Sequence, residues 1–120
     1  MGSIRRMIAA MSLAVLVEGA PFLLHAGNAD VEAGRRIYAE ACKACHGLDG
    51  KGAGVMKFRP PAADLTSPQV QAKLDSGLYT VIHEGRANTA MGAWKYALSD
   101  EEIRDVLSYV RTFRVSQAIP

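Results

Sequence analysis

A run of apolar residues long enough to cross a membrane is missing from this 120-residue sequence. A span needs about 20 such residues in succession, whereas the apolar run from Met7 to Val17 has 11 and meets Glu18 next. Charge of one sign is missing as well: 14 Lys and Arg stand against 12 Asp and Glu, a balance that argues neither for nucleic acid nor for an anionic membrane surface. Strand-type alternation, internal repeats and low-complexity tracts are absent, which excludes sheet-based and repeat architectures. Cysteine is scarce. The chain has two, both in Cys42-Lys43-Ala44-Cys45-His46-Gly47.

What is present begins with a leader pattern. Arg5 and Arg6 make a basic start, the apolar run follows, and Ala26, Gly27 and Ala29 supply small residues for a cut after Ala26 or Ala29. This three-part order is that of a secretory signal peptide over residues 1–29, with no membrane span expected after its removal. The Arg5-Arg6 pair lacks the wider context of a twin-arginine signal and marks only the basic region. Without residues 1–29, which take Arg5, Arg6 and Glu18 with them, 12 basic and 11 acidic residues remain in 91. That length makes one small domain, residues 30–120, of a size that is often marginal without a staple or a bound group.

Helix signals dominate this domain. The first helix is expected over about Val31 to Ala44, with Gly34, Ile37, Tyr38 and Ala41 on one face. A stretch rich in Gly and Pro follows, from Gly47 through Pro60 and Pro61, and reads as a wrapping loop. A second helix is expected to start at Ser67 as N-cap with Pro68 behind it. Its stripe is Val70, Leu74, Leu78, Val81 and Ile82, and Gly85 is placed to end it as a left-handed cap. A loop from Arg86 to Leu98 carries Met91 and Trp94. The last helix opens with the capping box Ser99-Asp100-Glu101-Glu102 and buries Ile103, Val106, Leu107, Val110 and Phe113. Three main helices thus frame two irregular loops.

Three chemistries compete for the thiol pair. A redox dithiol belongs at a helix N-terminus after a strand, where the dipole lowers the thiol pKa; here the pair lies at the opposite end of its helix. A zinc site would draw on Cys42, Cys45, His46 and His83, but adjacent side chains such as Cys45 and His46 point awkwardly for one tetrahedron. Covalent haem explains all three motif residues: Cys42 and Cys45 reach the two vinyl groups as thioethers, and His46 lies under the iron. The opposite axial position falls to Met91, which is 45 residues downstream of His46 and has slack to pass round the porphyrin. Met56, only ten residues on, does not. His83, near a helix C-terminus, is explained by the dipole there.

Gly34 to His46 (GRRIYAEACKACH), Gly47 to Thr66 (GLDGKGAGVMKFRPPAADLT) and Met91 to Phe113 (MGAWKYALSDEEIRDVLSYVRTF) together resemble the class I c-type cytochromes, small bacterial proteins with a single haem. The resemblance implies an all-α cytochrome c fold wrapped around one covalent haem c, with His46 and Met91 as axial ligands. It implies an electron carrier rather than an enzyme, working in a periplasmic respiratory or dehydrogenase-linked chain between a redox-protein donor and acceptor. It further implies that Gly34 faces Tyr109 where the first and last helices cross, that a proline carbonyl, Pro60 rather than Pro61, accepts the hydrogen bond of the ligand imidazole, and that Trp94 packs near the haem edge. One departure stands out. Gly92 occupies the place after the ligand Met where the family often has Pro, and its freedom leaves open a haem enzyme or gas sensor with a labile sixth ligand. A cytochrome subunit of a periplasmic oxidoreductase complex is a further alternative. If the pair carries haem by thioethers, acid-acetone extraction of correctly matured protein leaves the pigment on the polypeptide; a colourless protein and a coloured solvent would refute covalent attachment.

Overall fold

The computed structural model describes residues 28–115. The basic start, the apolar run and the Ala26 boundary of the expected leader lie outside these residues. Among them the chain is helical, with no strand. In order come α1 (Val31–Ile37), a π-helical turn (Tyr38–Cys42), α2 (Lys43–His46), α3 (Pro68–Gln71), α4 (Asp75–Glu84), a 3₁₀ turn (Trp94–Tyr96) and α5 (Asp100–Val115).

Two of the expected starts are made by the residues named for them. Ser67 Oγ accepts from Val70 N at 3.3 Å with Pro68 behind it. Ser99 and Glu102 close their capping box reciprocally, at 2.8 and 3.2 Å, which satisfies two donors that a helix start leaves orphaned. At α1 the cap is Asp30, whose carboxylate accepts from Glu32 N and Ala33 N at 2.9 and 3.1 Å. Its own amide donates to the buried Asp105 carboxylate at 2.7 Å. Capping α1 therefore also ties it to α5.

The continuous first helix expected over Val31 to Ala44 is interrupted by the π turn, in which Lys43 N reaches back to Tyr38 O. The wider turn absorbs one extra residue, and it does so where Tyr38 is held in the core. The second helix is two helices. Between α3 and α4 the Gln71 carbonyl, which would accept the next helical N–H, is taken by the guanidiniums of Arg111 and Arg114, and the Lys73 carbonyl by Arg111 at 2.5 Å. With its acceptors diverted, the chain unwinds over Ala72 to Leu74 and restarts. Leu74, expected in the apolar stripe, is accordingly 77% exposed. Gly85 ends α4 with φ +73°, as expected of a positive-φ residue, although ψ of −168° makes the exit extended rather than a compact left-handed cap.

The core lies between α1, the π turn and α5. Tyr38, Val106, Val110 and Phe113 form its buried centre, with Ile37, Cys42, Leu65, Ile82 and Tyr109 packed on it. All five residues of the α5 stripe are buried. At the crossing of α1 and α5 a Cβ placed on Gly34 would lie 1.9 Å from the Asp105 carbonyl oxygen, so the glycine is pressed against the backbone of α5. Tyr109, one turn farther along α5, stacks obliquely on Tyr38 at 5.2 Å, and Phe113 meets both rings edge-on at 5.5 and 5.4 Å. Contact of bare backbones at Gly34 brings the helices close enough for this aromatic trio to fill the space beyond.

Gly34→Ala is therefore expected to force the helices apart and destabilise the domain by about 1–3 kcal/mol. Gly77→Ala, on the exposed side of α4 where nothing lies within 4 Å of the added methyl, should stabilise it by about 0.5–1 kcal/mol. Guanidinium unfolding of both variants checks the opposite signs.

Candidate functional site

The site is built on α2 and the loop that follows it. A helix end leaves its last carbonyls without partners, and here the returning loop supplies one for each. Gly47 N donates to Lys43 O at 2.8 Å, Met56 N to Ala44 O at 2.9 Å, Gly54 N to Cys45 O at 3.2 Å and Gly52 N to His46 O at 2.7 Å. The Tyr38 hydroxyl, buried with its pKa pushed up by desolvation, donates to Gly47 O at 2.6 Å. The backbone of the whole Cys-Lys-Ala-Cys-His stretch is thus pinned from behind. Close approach makes this possible: a Cβ on Gly54 would lie 2.2 Å from the Ala44 carbonyl oxygen.

His46 is half-buried, and its Nδ1 lies 2.9 Å from the carbonyl oxygen of Ala63. A carbonyl only accepts, so Nδ1 carries the proton and the lone pair of Nε2 is left for a metal. This corrects the expected partner: the acceptor belongs to Ala63, not to Pro60 or Pro61. The reason lies in how the loop returns. Leu65 N bonds Gly50 O at 2.7 Å and Asp64 ties Thr66 through its amide and hydroxyl at 2.8 and 2.6 Å, which brings the Ala63 carbonyl to the His46 ring. The hydroxyl of Thr66 holds the Asp64 carboxyl below its usual range, so this anchor stays ionised. No side-chain signature marks a carbonyl acceptor such as that of Ala63, and sequence reading had no signal by which to find it.

Cys42 and Cys45 are both free and half-buried. Burial, helped by the neighbouring Cys45, pushes the Cys42 thiol up to about 11, the opposite of what a reactive dithiol requires. His83 is drawn into a different cluster, with Nδ1 2.7 Å from Glu84 and its ring stacked on Tyr79 at 5.5 Å. Among the described residues no three His, Cys, Asp or Glu side chains gather as metal ligands. The four residues a zinc site would draw on are therefore not brought together. The donor set fits haem c: two unpaired thiols, and one imidazole whose Nδ1 is tied and whose Nε2 is free.

Met91 is half-buried in the loop between α4 and the 3₁₀ turn. Its carbonyl accepts from Arg86 N at 2.9 Å and its amide donates to Thr89 Oγ1 at 3.2 Å. Met56 is 49% exposed. Trp94, half-buried, opens the 3₁₀ turn, and its carbonyl accepts from Ala97 N and Leu98 N at 2.9 and 2.8 Å.

An all-helical domain presenting two free cysteines and a ligand-ready histidine at one helix end is the frame of a protein that carries covalent haem. The chain belongs to the family described as cytochrome c oxidase, cbb3-type, subunit III, whose pattern matches residues 29–110. It is a small single-haem c-type cytochrome that carries electrons, and its cofactor is one covalent haem c. Cytochrome c6 of Bryopsis maxima is 34% identical over 86 residues, which are 68% of this chain and 89% of that protein. The structure of KustC0563 c-type cytochrome superposes with a TM-score of 0.58 at 30% identity, over 67% of this chain and 95% of that one. Cytochrome CL of Methylophaga aminisulfidivorans gives 0.55 at 27% identity, over 68% of this chain and 53% of that one. A chain of the Kuenenia stuttgartiensis reducing HAO-like protein complex gives 0.62 at 26% identity, over 79% and 47%.

Gly54→Ala is expected to lift the loop off the attachment helix and lower stability by about 1–3 kcal/mol. Thermal unfolding of the haem-loaded protein checks this, and an unchanged midpoint would show that the backbone capping of α2 does not bear on stability.

Proposed function

We propose that this cytochrome is an exported single-electron carrier with His46 and Met91 as axial ligands, operating in a periplasmic respiratory or dehydrogenase-linked chain between a redox-protein donor and acceptor. The observation that carries the reading is the bond from His46 Nδ1 to Ala63 O at 2.9 Å, because it sets the tautomer that frees Nε2 and raises the ligand's basicity. Haem c, when bound, supplies an iron that takes up and releases one electron. Cys42 and Cys45 hold the group covalently, so it does not leave between encounters. Met91 contributes a soft thioether, which favours the reduced state and a comparatively high potential. Pro60 lies exposed in the proximal loop, and Trp94 packs near the haem edge in this reading. Two protein ligands leave no open position for a substrate.

Export is supported by the leader pattern of residues 1–29. No helix of the described residues is long and apolar enough to cross a membrane.

A second reading, a haem enzyme or gas sensor with a labile sixth ligand, is favoured by Gly92, whose Cβ position has nothing within 4 Å. A third, a dedicated subunit of a periplasmic oxidoreductase complex, is favoured by the similarity to a chain of the Kuenenia complex. Carbon monoxide added to the reduced protein separates the first two readings, with prompt binding at an open site and slow binding at a Met-ligated one. Replacing Met91 with His should remove the thioether-to-iron absorption band and lower the midpoint potential by on the order of 0.1 V. An unchanged spectrum would assign the sixth position elsewhere.

A further inference from the structure

The loop that carries Met91 has no helix before Trp94 and few backbone ties, and loops of this kind lie at the low-stability end of a fold. Both of its ends nevertheless enter one polar cluster. Glu84, the last residue of α4, uses both carboxylate oxygens: Oε1 meets His83 Nδ1 at 2.7 Å, and Oε2 meets Lys95 Nζ at 2.5 Å. Lys95 comes from within the loop region, four residues after Met91 and next to Trp94. The other end is Asp100, at the start of α5, which accepts from the Tyr79 hydroxyl at 2.8 Å and lies 3.7 Å from His83 Nε2. Tyr79 and His83 stack on each other within α4.

We propose that the Glu84–Lys95 pair, braced by His83, Tyr79 and Asp100, is a latch that holds the Met91 loop closed, making Glu84 and Lys95 positioning residues for the sixth ligand. The proposal rests on the reading of Met91 as that ligand. The backbone explains why a latch at this point acts on Met91. A Cβ on Gly85 would lie 2.6 Å from the Met91 carbonyl oxygen and 2.9 Å from Ala93 N, so the segment leaving α4 and the segment carrying Met91 run in contact. Inward movement is blocked. Outward movement is opposed by the Arg86–Met91 backbone bond and by the pair that spans the loop from Glu84 to Lys95. Gly92 adds freedom between Met91 and Lys95 and has no packing to limit it. Lys95 is the cation that joins the loop to the Glu84 carboxylate, and its hydrogen bond is the first cause that holds that carboxyl below its usual range. An isolated surface pair is weak; a connected set of five residues spanning both ends of one loop is the arrangement in which such a pair acts on geometry.

The test uses the haem-loaded protein in four forms: wild type, Lys95→Met, Glu84→Gln and the double variant. Carbon monoxide association to the reduced protein reads loop opening, and the thioether-to-iron band reads ligation. Each single variant should bind carbon monoxide about threefold faster, and the double variant no faster than either, since both remove the same link. Lys95→Arg should keep the wild-type rate. Rising ionic strength should accelerate the wild type and leave Lys95→Met unaffected. Unfolding midpoints should stay close together, which separates positioning from general stability. A wild-type spectrum without the thioether band overturns the Met91 reading and the latch with it. A band that is present, with Lys95→Met binding at the wild-type rate or with additive effects in the double variant, overturns the latch alone.

Discussion

The carbonyls at the end of α2 are the constraint on which the rest of this structure depends. A haem-attachment helix has to stop where its histidine faces the cofactor, and stopping exposes a row of acceptors that no further turn can satisfy. The chain answers with its own next ten residues, folded back so that Met56, Gly54 and Gly52 each present an amide to the motif. A side chain at Gly54 would collide with the Ala44 carbonyl of the motif, and one at Gly52 with the Ala62 carbonyl of the returning loop. The glycine-rich loop is thus the second half of the helix terminus.

Tyr38 joins this local arrangement to the global fold. Its ring belongs to the aromatic trio that packs α1 against α5, while its hydroxyl holds Gly47. Phe113, from the far end of α5, lies against Gly50, where a Cβ would approach its ring within 2.7 Å. Docking the last helix and seating the proximal loop are consequently one event. Cys42 lies in the same packing, which is why its thiol is desolvated and its pKa raised.

The segments around His46 and Met91 are held by different physics. The His46 segment rests on backbone hydrogen bonds and close contacts. The Met91 segment rests on few hydrogen bonds and on exposed charges, which solvent screens.

Much of this was legible in the residue order. The helical class, the capping residues Ser67 and Ser99, the α5 stripe and the Cys42–Cys45–His46 motif follow from rules that act within a turn or two, and the structure agrees with them. The family and its covalent haem c follow from the same residues. The failures share a different character. The break between α3 and α4 arises because Arg111 and Arg114, about 40 residues on, capture helix carbonyls. The π turn arises where Tyr38 is fixed by α5. The acceptor for His46 is Ala63 instead of Pro60 because Gly50 and Asp64 set the path of the returning loop. What the sequence by itself determined was the chemistry on offer and the local elements that carry it, since covalent spacing and helix periodicity are short-range. Which carbonyl meets which donor was decided only in the folded molecule, because a backbone oxygen has no residue-specific identity until distant segments are brought against it.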